Sequence, residues 1–184
     1  FWALIFLGGF EFFNQKSAAL AGAGSLSHSV VFCLYIMAYF FVIGLPFKYY
    51  STFVIEEKYG FNKMSFTLFV VDLVKTLAVS LALGVPVLYL IFWFMKSSGP
   101  SWWLWVWFAM TGFQLFVMAL YPTLLAPIFN KFSPLEEGSL KDGIENLSKK
   151  IKFKMSGVFT IDGSKRSGHS NAYFSGMGKF RRIV

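Results

Sequence analysis

The chain has 184 residues, 56% of them hydrophobic and 21% aromatic, with a formal charge of +8. Soluble domains run about 45–50% apolar even with glycine counted, so an ordinary water-soluble fold is excluded. No nucleic-acid-binding motif accompanies the charge, which suits anionic lipid headgroups instead.

In chain order, residues 1–10 are apolar but too short to cross a bilayer, and read as a truncated span that begins in mid-run without an initiator Met. Residues 11–24 read as a connector rich in small residues after Lys16. No charge occurs from 17 to 47, from 76 to 95 or from 97 to 130. Each gap can hold the roughly 20 apolar residues that a membrane helix needs. The predicted spans are about 29–47, 64–94 and 102–128. Pro46 lies at the first exit, Gly84 and Pro86 are placed to kink the second span, and Pro122 and Pro127 shape the last exit. Trp102, Trp103, Trp105 and Trp107 crowd the start of the last span, as interfacial anchors do. Cys33, the one cysteine, reads as a small hydrophobe inside a span, with no partner for a disulfide or a Cys-x-x-Cys pair.

Alternating spans put the connector 48–63 and everything after 130 on one side of the membrane. That side carries Lys48, Lys58, Lys63 and eleven Lys or Arg of the tail, against Lys16 and Lys96 on the other. The positive-inside rule then makes the tail cytosolic. In the tail, Ser133-Pro134-Leu135-Glu136 has the form of a capping box with Pro at the first helical position, which predicts a helix starting there. Leu140, Ile144, Leu147 and Ile151 recur on one helical face. Val158, Phe159, Thr160 and Ile161 form a strand, and Asp162-Gly163 is a turn signal. Residues 171–174 read as a second strand, Gly176-Met177-Gly178 as a turn, and 181–184 as the start of a third strand. The fold class is mainly α: a multi-pass helical membrane bundle (1–130) with a small, partial α+β cytosolic domain (131–184).

For chemistry, the chain has two histidines, His28 and His169, and no H-E-x-x-H motif, so it cannot assemble a three-ligand catalytic zinc site. Ser164, Ser167 and Ser170 lack a base–orienter pair and a nucleophile elbow. His28 is expected at an interface and His169 on a loop surface or against a substrate. Glu56-Glu57 read as a charged connector capping its neighbour helix, since adjacent residues do not share a helix face. Asp72 and Lys75 near the start of a span are expected either to pair with each other or to line an aqueous chamber. Asn146-Leu147-Ser148 fits a glycosylation sequon that cytosolic placement leaves unmodified. Asn171, Ala172 and Tyr173 could be an ordinary hairpin strand or an edge that adds a peptide by β-augmentation.

Three runs carry a resemblance. They are Thr52-Phe53-Val54-Ile55-Glu56-Glu57-Lys58-Tyr59-Gly60-Phe61-Asn62-Lys63, Ala126-Pro127-Ile128-Phe129-Asn130-Lys131-Phe132-Ser133-Pro134-Leu135, and Gly163-Ser164-Lys165-Arg166-Ser167-Gly168-His169-Ser170-Asn171-Ala172-Tyr173-Phe174. In that order the chain resembles the type 1 CAAX prenyl proteases, zinc metalloendopeptidases of the endoplasmic reticulum and inner nuclear membrane. The resemblance implies that this is the N-terminal part of such an enzyme, inactive alone, with the zinc motif downstream of the Asn-Ala-Tyr run. It implies a prenylated peptide or protein as substrate, the lipid bilayer as surroundings, and a helix-walled internal chamber. It also implies a substrate-aligning role for Asn171, Ala172 and Tyr173, with His169 close by. The competing readings are a transporter or channel subunit using Asp72 and Lys75, and a membrane scaffold binding through its basic tail.

Overall fold

The fold is described from a computed structural model, covering residues 2–169, 171–176 and 181–184. The expected turn at Met177-Gly178 and the hydroxyl of Ser170 lie outside the described residues. The chain divides into two compact units, Phe1–Ile55 with Thr76–Ala109, and Glu56–Lys75 with Met110–Val184. Among the described residues three helical stretches are long and apolar enough to span a membrane, Leu26–Glu56, Phe66–Ser97 and Gly99–Phe129. Their most apolar windows are only 6%, 0% and 11% buried by the protein itself. Faces this apolar and this bare require lipid or further protein around them.

In the first unit, α1 (Trp2–Phe6) and α2 (Gly9–Ala21) precede α3 (Leu26–Tyr50). The expected connector over 11–24 is therefore mostly helix. Its phenylalanines override the small polar residues, because Phe13 stacks on Tyr35 at 5.6 Å and meets Tyr39 edge-on at 6.1 Å. Ser25 caps α3, its Oγ accepting from the backbone N–H of His28 at 2.9 Å, which satisfies one donor orphaned at the helix start. The His28 ring closes the α2–α3 corner. Nδ1 accepts from the Gly24 N–H at 3.3 Å, and Nε2 faces Asn14 Oδ1 at 3.1 Å. Pro46 does not end α3: the helix runs to Tyr50 and continues as wider π-helical turns over Ser51–Glu56. The first span is thus longer than predicted, at the expense of the connector. α4 (Phe66–Ser97) runs unbroken through Pro86, and within this unit Tyr89 Oη donates to Ser27 Oγ at 3.0 Å. A 3₁₀ turn over Gly99–Ser101 leads into α5 (Trp102–Leu120), where Trp103, Trp105 and Trp107 are all more than half exposed.

The second unit opens on a glycine-terminated helix end. Gly60, at φ +74°, donates to the Glu57 carbonyl at 3.0 Å while the Phe61 N–H donates to Glu56 at 2.9 Å. That pair of bonds with a left-handed glycine is the Schellman stop. Ser65 then caps α4 through the Leu68 N–H. Beyond α5, π-helical turns over Tyr121–Leu125, with Pro122 inside, pass into α6 (Ala126–Phe129).

A four-stranded mixed sheet follows, β1 (Phe132–Pro134), β2 (Gly157–Ile161), β3 (Phe174–Ser175) and β4 (Arg182–Ile183) in the spatial order β1-β2-β4-β3. β1–β2 and β3–β4 are antiparallel and β2–β4 parallel. The capping-box expectation at Ser133 fails here. Residues 132–134 pair with 159–161, and α7 starts at Ser139 and ends at Lys150. A cap contributes only about 1 kcal/mol, less than ladder bonds combined with the guanidinium of Arg182 lying 4.4 Å from the Phe132 ring and 5.7 Å from that of Phe159. Asp142 in the first turn of α7 and Lys149 and Lys150 in the last complement the helix dipole. Asn171, Ala172 and Tyr173 precede the strand they were expected to form, which is Phe174–Ser175.

Candidate functional site

The loop between β2 and β3 is docked on two sides. On one side it meets the glycine-stopped segment at 60–63. The Gly168 N–H donates to the Phe61 carbonyl at 2.7 Å, the Lys63 N–H donates to Arg166 O at 3.1 Å, and Asn62 and Ser167 form an isolated antiparallel bridge. The His169 ring stacks on Phe61, with centroids 4.0 Å apart and planes 23° from parallel. His169 therefore has a packing partner in the connector. Glu57, expected to serve the neighbouring helix, accepts from Asn62 Nδ2 at 2.8 Å and so steadies the same segment.

On the other side Arg166 reaches into the membrane-helix part of its unit. Nε and Nη2 donate to the two carboxylate oxygens of Asp72 at 2.6 and 3.0 Å, Nη1 to Asn130 Oδ1 at 2.8 Å, and Nη2 also to the Phe129 carbonyl at 2.6 Å. Four of the five guanidinium N–H groups are thereby used. The Asp72 hydrogen bond holds the Arg166 guanidinium above its ordinary pKa, against the opposing effect of burial. Asp72 and Lys75 were expected to pair with each other or to line a chamber. Asp72 is gripped bidentately by Arg166, and Lys75 Nζ donates to the Ile128 carbonyl at 2.8 Å. A charge in an apolar span signals that a partner exists. Nothing in the spacing pointed 94 residues ahead to a loop arginine.

The loop delivers Asn171, Ala172 and Tyr173 to the edge of the sheet. Tyr173 and Val184 exchange both backbone bonds at 2.9 Å, extending the β3–β4 ladder by one pair. Backbone groups of alternate residues in a strand point to opposite sides, so those of Ala172 and Phe174 face the free edge. The Ala172 N–H is turned to Asn171 Oδ1 at 2.8 Å, and among the described residues the Ala172 carbonyl and both Phe174 groups meet no partner. Beside this edge lies an apolar cavity of about 440 Å³ lined by Leu147, Ile151, Tyr173 and Phe174 among others. Burial pushes the Tyr173 phenol above its usual pKa, nearby Tyr121 adds to the shift, and Arg182 opposes it. Arg182 also donates to the Pro122 carbonyl, tying β4 to the end of the last span. Of the candidate serines, Ser167 Oγ accepts from the His169 N–H at 3.3 Å, a loop contact and no triad.

Among the described residues no group of three His, Cys, Asp or Glu could hold a metal ion. These residues do not fit a zinc site, and what they offer is a strand edge, unpaired among the described residues, beside an apolar cavity. The class so defined is a multi-pass helical membrane protein bearing a small mixed sheet. The family profile described as CAAX prenyl protease N-terminal, five membrane helices, matches residues 1–131, and that of peptidase family M48 matches residues 134–184. The chain belongs to the CAAX prenyl protease family. It is 40% identical over 168 residues to the CAAX prenyl protease 1 homolog of Oryza sativa subsp. japonica, covering 91% of this chain and 40% of that protein. It is 45% identical over 139 residues to CAAX prenyl protease 1 of Saccharomyces cerevisiae, covering 74% and 30% respectively. The crystal structure of S. mikatae Ste24p superposes with a TM-score of 0.91 at 35% identity, over 99% of this chain and 43% of that one. The chain thus spans about 40% of the length of the rice relative.

Proposed function

We propose that this chain is the chamber-building and substrate-aligning part of a membrane zinc metalloendopeptidase that trims prenylated protein C-termini. In this reading the helices up to about residue 130 wall a lipid-accessible chamber, and residues 131–184 form part of a cytosolic domain. Zinc and the groups that hold it come from outside this chain, which is inactive alone. The enzyme works at the endoplasmic reticulum and inner nuclear membrane, where a prenylated tail already partitions into lipid. The relatives' names support the substrate class.

The observation that carries the reading is the edge at 171–174. An extended peptide lying along it completes the ladder with the Ala172 carbonyl and the Phe174 amide and carbonyl, as in β-augmentation. Asn171 is exposed, and with its Oδ1 taken by the Ala172 N–H its amide nitrogen is the group left to meet a bound peptide. The apolar groove takes alternate side chains of that peptide. His169, stacked on Phe61, supports the segment from behind. The test is cleavage of a prenylated peptide by the intact protein and its Asn171→Ala variant. A fall in kcat/KM of about tenfold, the weight of one lost charge-independent alignment bond, is expected with unchanged expression. Equal kinetics would remove Asn171 from the site, and no cleavage by the intact protein would end the protease reading.

A further inference from the structure

The strand edge begins five residues after Arg166, and among the described residues the loop between them is held by Arg166 at its root and by Gly168 and His169 on Phe61. Asp72 lies six residues into α4, about 9 Å along the helix axis. Its carboxylate is 13% exposed and the guanidinium 20%, so the pair is largely screened from solvent. The same guanidinium holds Asn130 and the Phe129 carbonyl at the end of α6. Its own backbone carbonyl receives the Lys63 N–H. One residue therefore joins a spanning helix, the end of the last span, the 60–63 segment and the root of the strand edge. We propose that Arg166, clamped by Asp72, is a positioning residue that sets the height and direction of the edge at 171–174 against an incoming peptide. Lysine cannot take its place, because a point ammonium has no fork to match two carboxylate oxygens while also bonding Asn130.

The proposal rests on the alignment role given above to the strand edge, so its test has an arm that does not depend on proteolysis. In the intact detergent-solubilised protein, Arg166→Lys and Asp72→Asn are each compared with wild type by amide hydrogen exchange. Exchange over 167–173 rises at least severalfold in both variants, while α7 at 139–150 keeps its protection. Unchanged exchange over 167–173, or an equal rise in α7, overturns the clamp whatever the kinetics show. The second arm uses a prenylated peptide and versions of it N-methylated at each backbone amide in turn. Wild type discriminates against the methylation that removes the edge bond by about tenfold. In both variants that ratio collapses toward one, and the double variant is little worse than either single one. A smaller folded fraction slows both peptides equally and leaves their ratio untouched, so a merely structural role predicts an unchanged ratio and overturns the positioning role. If wild type shows no discrimination or no cleavage, the alignment reading fails, and the exchange arm alone decides whether Arg166 fixes the segment.

Discussion

Side chains at the hinge between helices and sheet act through charge-assisted bonds to the backbone. Asp162 shows how. Its Oδ1 accepts from the Lys131 N–H at 2.7 Å and its Oδ2 from Lys165 Nζ at 2.8 Å, pinning the start of β1 to the turn after β2. The Lys165 hydrogen bond, with the Lys131 N–H adding, holds this carboxyl below the usual aspartate range despite some desolvation. Because the folded value is depressed, the contribution is fully present above the unfolded pKa and disappears as pH falls through the folded one. Asp162→Ala should cost about 1–2 kcal/mol at neutral pH, read from the denaturant midpoint. That difference from wild type should shrink as pH drops below about 4. Lys165 is 63% exposed, so Lys165→Ala should matter much less, under about 1 kcal/mol.

Among the elements, some were plain in the sequence and others were overruled. α7 was legible because Leu140, Ile144 and Leu147 repeat at helical spacing within a charged background, and β2 because Val158, Phe159, Thr160 and Ile161 form a β-branched and aromatic run before a turn pair. The strand expected over 171–174 is shifted to Phe174–Ser175, because the register is set by the pairing of Tyr173 with Val184, which local composition does not show. β1 was hidden behind a local capping signal, since its strand exists only through a partner 27 residues away. Likewise α2 was hidden because its stability comes from rings on α3. The Arg166–Asp72 clamp was beyond reach for the same reason: both charges were visible, their meeting was not. Gly60 makes the element-level prediction. Its φ of +74° is unfavourable for any residue with a Cβ, so Gly60→Ala should destabilise the protein by about 1–2 kcal/mol. Open space surrounds the position, so the loss is one of backbone strain, and Gly60→Asn, which tolerates the left-handed region better, should recover part of it in the same thermal-unfolding measurement.

For the whole molecule, the defining balance is a set of spans whose apolar windows are little buried joined to a sheet whose anchors are polar. Helices whose apolar windows are at most 11% buried need lipid or further protein around them, whereas β4 is tied down by one guanidinium held between two aromatic rings and the Pro122 carbonyl. The asymmetry of Lys and Arg predicts an orientation that labelling tests. Single cysteines placed at Lys96 and Lys165, in an otherwise cysteine-free intact protein, should react with a membrane-impermeant maleimide from opposite faces of sealed microsomes. Reaction at Lys165 only after lumenal access is opened would reverse the orientation.

Only Asn130 and Lys131 separate the last turn of α6 from the first residue of β1. A link that short leaves no slack, so the sheet inherits its pose from the helix that carries it. Any peptide that pairs with the edge at 171–174 is then held at a height set by the helix end, so that, on the function proposed above, the bond presented for cutting would be chosen by its distance from a membrane anchor more than by the letters around it.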